Sequence, residues 1–198
     1  MDTASMTSGF SFRAKDNESE AESFASKQTS ACSIKDSGQR RKFDTGAVRD
    51  IAEGKGRCDL LPLEEIADML NDEILWRINQ YVCSGNKNSL MHAIKAFAEA
   101  RYGDLLTAVL EVSKHYEDGC IKYGERNWEK GIPLHCYIDS GIRHYLKHLR
   151  GDADEPHDRA FLWNMLGAIW TQKNKPDLID LPFSRRITNE SNTHSSNP

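Results

Sequence analysis

No run of about 18 apolar residues occurs in this 198-residue chain, so no segment reads as a membrane-spanning helix. Cysteine is scarce. Cys32, Cys58, Cys83, Cys120 and Cys136 are scattered, odd in number and never paired as CxxC, which excludes a zinc knuckle or a disulfide scaffold. Thiols used this way fit a reducing cytoplasm. A basic excess is missing too. The formal charge of -4 argues against a general nucleic-acid binder, which carries a basic stripe. The opening MDTASMTSGFSF lacks the basic start and apolar core of a secretory signal. Apolar residues make up only 38% of the chain, so part of its length is expected to stay disordered.

Large apolar residues are nearly absent from 1–36, and the composition there predicts a disordered arm. From 173 the chain carries Pro176, Pro182 and the polar run TNESNTHSSNP, which predicts a flexible tail over 173–198. Between them, 37–172 reads as one helical domain. Convincing period-2 alternation is absent, so the expected class is all-α. Residues 44–62 read as ordered but irregular. An apolar stripe then runs from Leu63 through Val82, followed by a turn over 84–88. Further helices are expected over 89–101, from Asp104 to a cap at Gly119, over 134–150, and from Pro156 to Gln172.

What the chain has in abundance is chemistry between Gly119 and Asn164. Asp152, Asp154, Glu155, His157 and Asp158 crowd one short segment. Three carboxylates converging at about 5 Å would repel by roughly 3 kcal/mol per pair at an effective dielectric near 20. Water screens that cost on a surface; in a pocket a cation must, and oxygen ligands suit Mg²⁺ or Mn²⁺. Asp152 and Glu155 are three apart, and His157 and Asn164 seven apart, so each pair shares a helical face. Glu111, His115 and Asp118 share another face. Asp139 precedes Arg143 by four, beside His144. The plainer readings are acids capping a helix, a solvated Glu111 and an exposed Asp139–Arg143 pair.

A second cluster, Lys122, Tyr123, Arg126, Asn127, Trp128 and Lys130, mixes cations with aromatics. Lys and Arg neutralise phosphates, an aromatic ring stacks on a base, and Asn offers a base edge both a donor and an acceptor. The alternative is a surface loop pinned by a buried Trp128. Gly54-Lys55-Gly56-Arg57 has the look of a phosphate-cradling turn, but it lacks the Walker spacing and the following Ser or Thr. The His157-Asp158 dipeptide also admits an HD-type phosphohydrolase with His144, Asp177 or Asp180 as further ligands.

The segments GAVRDIAEGKGRCDLLP (46–62), VLEVSKHYEDGCIKYGERNW (109–128) and DSGIRHYLKHLRGDADEPH (139–157), with the downstream Trp163-Asn164, resemble the dATP/dGTP diphosphohydrolase family of phages and bacteria. That family is a branch linked to the MazG-like all-α NTP pyrophosphohydrolases. The resemblance implies a helical, oligomeric, Mg²⁺- or Mn²⁺-dependent enzyme that converts deoxypurine triphosphates to monophosphate and pyrophosphate. A phage-encoded chain would act in the host cytoplasm. MazG-like enzymes carry E-E-x-x-E and E-x-x-D helices. Here Asp152-x-x-Glu155 reverses the second, and the first has no counterpart.

The expected catalytic acids are Glu111, Asp139, Asp152 and Glu155, with Glu111, Asp118, Asp139, Asp152, Glu155 and His157 as metal ligands. Lys55, Arg57, Lys122, Arg126, Arg143, His144 and Lys147 are expected on the phosphates, and Tyr123, Asn127 and Trp128 on the base. The expected partners are a deoxynucleoside triphosphate and further copies of the chain, with no nucleic acid or membrane. A non-catalytic nucleotide-binding or interaction module is the remaining alternative.

Overall fold

In the computed structural model, residues 34–184 are described. The expected disorder of 1–33 and 185–198 lies outside them. Two short strands, β1 (Arg40–Lys42) and β2 (Val48–Asp50), form an antiparallel hairpin. The main helices of the described residues follow: α1 (Leu63–Leu70), α2 (Glu73–Ser84), α3 (Lys87–Tyr102), α4 (Leu105–Tyr123), α5 (Leu134–Arg150) and α6 (His157–Asn174). Single 3₁₀ turns lie at Cys58–Leu60, Asn127–Lys130 and Pro176–Leu178. The all-α expectation holds, with the hairpin as its one exception among the described residues. Three-residue strands are too short to display an alternating pattern.

The helix boundaries follow local chemistry. The stripe expected from Leu63 to Val82 divides into α1 and α2. Asn71 takes a left-handed conformation there (φ 51°), and Asp72 caps α2 by accepting from the Leu75 amide at 2.8 Å. Asp104 caps α4 through the Thr107 amide at 2.9 Å, as the sequence indicates. Gly119 does not end α4. The helix continues to Tyr123, and Gly124 follows it. Gly119 is tolerated inside the helix because nothing packs where a Cβ would project.

The core is built on α5 and α6, which pack against each other more extensively than any other pair. Glycine permits this approach. A Cβ on Gly141 would lie 2.1 Å from Met165 Cε, and one on Gly167 would lie 2.4 Å from Tyr137 Cε1. Phe97 of α3 fits between Tyr145 and Phe161, with ring centroids 5.9 and 4.6 Å away. The Tyr145 hydroxyl donates to Asp72 Oδ2 at 2.5 Å, so the α2 cap also satisfies a core phenol. Packing extends beyond the boundary expected at 173. Residues 173 and 174 finish α6, and Leu181 and Phe183 are buried in the core. Two prolines signal the end of a helix but say nothing about apolar anchors after it. No helix among the described residues is long and apolar enough to cross a membrane.

Candidate active site

A cavity of about 470 Å³ opens between the hairpin, the 51–55 turn, the C-terminal half of α4, α5 and the start of α6. The hairpin is held over it by side chains that replace a third strand. Asn127 Oδ1 accepts from the Val48 amide at 3.0 Å, and its Nδ2 donates to the Val48 carbonyl at 2.8 Å. Arg49 donates from Nη1 to the Cys136 carbonyl (3.1 Å) and from Nη2 to Asn164 Oδ1 (3.0 Å). Its guanidinium lies 5.5 and 5.4 Å from the Tyr137 and Trp163 ring centroids. Arg143 fixes the Gly54–Arg57 turn by donating to the Lys55 and Gly56 carbonyls at 3.0 and 3.1 Å.

Many expected residues reach this space. Lys55, Lys122, Tyr123 and Asn127 line it, as do Asp139, Arg143, His144, Lys147 and Glu155. Lys122 has a side chain only 7% exposed and lies 3.5 Å from Asp50 Oδ2, while Lys55 lies 3.6 Å from the same oxygen. Burial alone would raise the Asp50 carboxyl. The Ser37 hydroxyl and the two lysines outweigh it and hold the group below its ordinary range.

Other expected residues are engaged elsewhere. Trp128 packs on Tyr116 and Trp170, 5.7 and 4.9 Å away by ring centroid, as a structural anchor and not in the cavity wall. Arg126 pairs with Glu129, and Arg57 with Asp59 at 2.6 Å. Glu111 is bound by Lys114 at 2.6 Å and by Arg159, and Asp118 is also outside the cavity lining. The oxygen-rich site expected from Glu111, Asp118, Asp139, Asp152 and Glu155 is therefore not gathered at one point. Asp139 lines the cavity but is consumed internally. It accepts from the Cys58 amide at 2.7 Å and from Arg143. The plainer reading of Asp139 and Arg143 is an exposed pair; the structure buries it against the turn.

Glu155 and His157 meet a different partner, His144. The two Nδ1 atoms of His144 and His157 lie 3.0 Å apart, and Glu155 Oε1 is 3.6 Å from each. Their ligand atoms converge closely enough to hold one metal ion. His157 is 2% exposed, and its Nε2 lies 2.8 Å from Asp154 Oδ1. A proton donated from Nε2 to that carboxylate leaves the Nδ1 lone pair facing His144, the arrangement of a metal-bound histidine. Burial, then the proximity of His157, pushes His144 well below its ordinary range, so it stays neutral at pH 7. Asp152, Asp154 and His157 form a second such group. There Asp152 is already held by Arg150 at 2.6 Å.

The HD arrangement is not assembled. Asp158 faces Arg101 at 2.8 Å and accepts the Arg159 amide, while Asp180 pairs with His135. Asp177 sits in the 3₁₀ turn at 176–178.

The structure adds Arg41, Arg49, His115, Trp163 and Asn164 to the cavity wall. His115 is 7% exposed, and its Nδ1 has no hydrogen-bond partner. Burial, then Arg49, lowers its pKa to about 4. Its place on a face with Glu111 and Asp118 was visible in the sequence, but burial against the cavity was not.

Residues 87–180 match the family model described as dATP/dGTP diphosphohydrolase, N-terminal. This segment is similar to that family. The match is the family that the sequence resemblance indicates. It spans α3 to α6 and brings Lys122, Arg143, His144, Lys147, Glu155 and His157 into the diphosphohydrolase segment. The hairpin and the Gly54–Arg57 turn lie before it. Searches of curated proteins and of solved structures returned no match.

Proposed function

We propose that the chain hydrolyses the deoxypurine triphosphates dATP and dGTP to monophosphate and pyrophosphate, using a divalent metal ion. The observation that carries this reading is one cavity lined by Lys55, Lys122, Arg143 and Lys147 together with the His144–Glu155 pair of a metal-binding cluster. The family match supports the reaction class.

His144 Nδ1, His157 Nδ1 and Glu155 would hold the ion, with Asp154 orienting His157. Two imidazole nitrogens and one carboxylate oxygen favour Mn²⁺ over Mg²⁺, which prefers an all-oxygen shell. A bound ion would supply charge neutralisation at the phosphates and a lower pKa for a coordinated water. The chain's own cations do the rest. Lys55, Lys122 and Lys147 draw the triphosphate in and offset its charge, while Arg143 keeps the turn that presents Lys55 in place. Tyr123 and Trp163 give the nucleoside aromatic surface. Water oxygen bonds to the α-phosphorus and gives up a proton to solvent, the bond from that phosphorus to the α–β bridging oxygen breaks, and pyrophosphate leaves.

The test is incubation with a panel of dNTPs and NTPs and either Mn²⁺ or Mg²⁺, with products separated by ion exchange. Deoxynucleoside monophosphate and pyrophosphate are expected. Release of intact triphosphate, or no turnover with either ion, would sink the reading.

We also propose that the chain works as a homo-oligomer in the cytoplasm, apart from nucleic acid and membranes. Leu106, Val109, Leu110 and Ile121 of α4 are 61–81% exposed, which supports association through that helix. Sedimentation of the full chain and of Leu110→Glu tests it; a wild type that stays monomeric removes this part.

A further inference from the structure

Arg41 and Arg49 sit directly opposite each other in the β1–β2 ladder, and both line the cavity. Like charges facing across a strand pair destabilise it. Other cations of the same cavity sit beside a carboxylate. Lys122 and Lys55 approach Asp50, and Lys147 and Lys35 approach Asp154. Among the described residues no carboxylate is paired with Arg41 or Arg49. Arg41 lies over the Phe43 ring at 5.1 Å, and its Nε is buried without a hydrogen-bond partner. Arg49 spends two N–H groups on a carbonyl and a carboxamide, both uncharged. Burial, the largest influence on it, works against its charge.

A chain that keeps two facing guanidinium groups beside a cavity, with the available acids directed to other cations, has left that charge for something outside itself. The guanidinium fork matches the paired oxygens of a phosphoryl group, and a dianionic or trianionic group satisfies two forks at once. A neutral base or sugar would not offset the charge.

We infer that Arg41 and Arg49 form a pyrophosphate clamp that grips the β- and γ-phosphoryl groups of the triphosphate, the part released as pyrophosphate. This deepens the proposed function and rests on it for the identity of the full substrate. The clamp lies outside the family-matched segment, so that segment's residues alone do not supply it.

The experiment is calorimetric titration of the full chain with inorganic pyrophosphate, without metal, and separately with dAMP. Folding of each variant is checked by circular dichroism. Wild type is expected to bind pyrophosphate. Arg41→Gln and Arg49→Gln are each expected to weaken that binding about tenfold or more, with dAMP affinity changed about twofold or less. Arg49→Lys, which keeps the charge and loses the fork, is expected to fall between. If Arg49→Gln does not fold, Arg41→Gln and Arg49→Lys carry the test. Folded variants with wild-type pyrophosphate affinity overturn the clamp, as does a larger loss for dAMP than for pyrophosphate. A wild type that ignores pyrophosphate overturns it whether or not dNTPs are hydrolysed. Arginine-dependent pyrophosphate binding without dNTP turnover would instead keep the clamp and sink the enzymatic reading.

Discussion

The aromatic cluster of Phe97, Tyr145 and Phe161 and the cavity wall at Arg41, Arg49 and His115 treat burial in opposite ways. In the cluster, rings meet rings, and the one hydroxyl finds Asp72 at 2.5 Å. Burial there agrees with the chemistry of each side chain, and removing apolar area from water stabilises the fold. At the wall, a guanidinium nitrogen and an imidazole nitrogen are enclosed without partners. Burial there opposes the chemistry, because an unsatisfied polar group costs about 1–3 kcal/mol. The first region holds the protein together. The second spends stability that a bound anion would return.

Substitutions separate the two regions. Phe161→Ala should cost about 3–5 kcal/mol of stability, read by denaturant unfolding, with KM for dNTP unchanged in the protein that remains folded. A loss of substrate affinity at full stability would erase the contrast. His144→Ala should reverse the pattern. Mn²⁺-supported turnover is expected to fall on the order of 100-fold, with the unfolding midpoint little changed. Retained turnover would remove His144 from the metal cluster.

His115→Ala should raise KM for dNTP about fivefold, with any loss of stability coming from the contact with the Trp163 ring, since the lost Nδ1 bonds nothing in the free protein. The same variant has a pH signature. The His115 pKa lies at about 4 in the folded chain, below its ordinary value of 6.5, so the unfolded chain binds the extra proton first as pH falls. Stability tied to this group is present above pH 6.5 and is lost as pH falls toward 4. His115→Ala should flatten the melting temperature over that window; an unchanged slope would place the group in contact with water.

The smallest effect is expected at His135. Its hydrogen bond to Asp180, then the contact with Cys136, raises its pKa to about 10. A raised pKa gives stability that is complete below pH 6.5 and disappears as pH rises through about 10. His135→Ala should remove that alkaline decline while leaving the cavity's affinity for substrate untouched.

The same contrast explains what the sequence could reveal. Caps such as Asp104 and Gly151 and the apolar stripes of α5 and α6 are local signals, and they place the helices within a few residues. Lys122, Arg143, His144, Lys147 and Glu155 stand out as candidates because their types and spacing suit phosphates and metals, and all five line the cavity. Glu111, Asp152, Arg126 and Trp128 carry the same types, but each meets a neighbour that absorbs it. Arg41 and Arg49 give no such signal, because an arginine in an irregular stretch reads as an ordinary surface residue. Only tertiary enclosure, and the absence of an opposing acid among the described residues, makes it unusual. The departure of the site from its expected oxygen-rich form has the same origin, since the His144–His157 approach joins two helices.

Asn127 carries a practical consequence. Its carboxamide gives β2 the donor and acceptor that an adjoining strand would give, so a hairpin with no larger sheet is sewn onto the loop after α4. Expressing 87–180 by itself would leave that carboxamide, the Cys136 carbonyl and Asn164 facing solvent where a wall should stand. An inactive fragment would then report a missing wall and say nothing against the helices behind it.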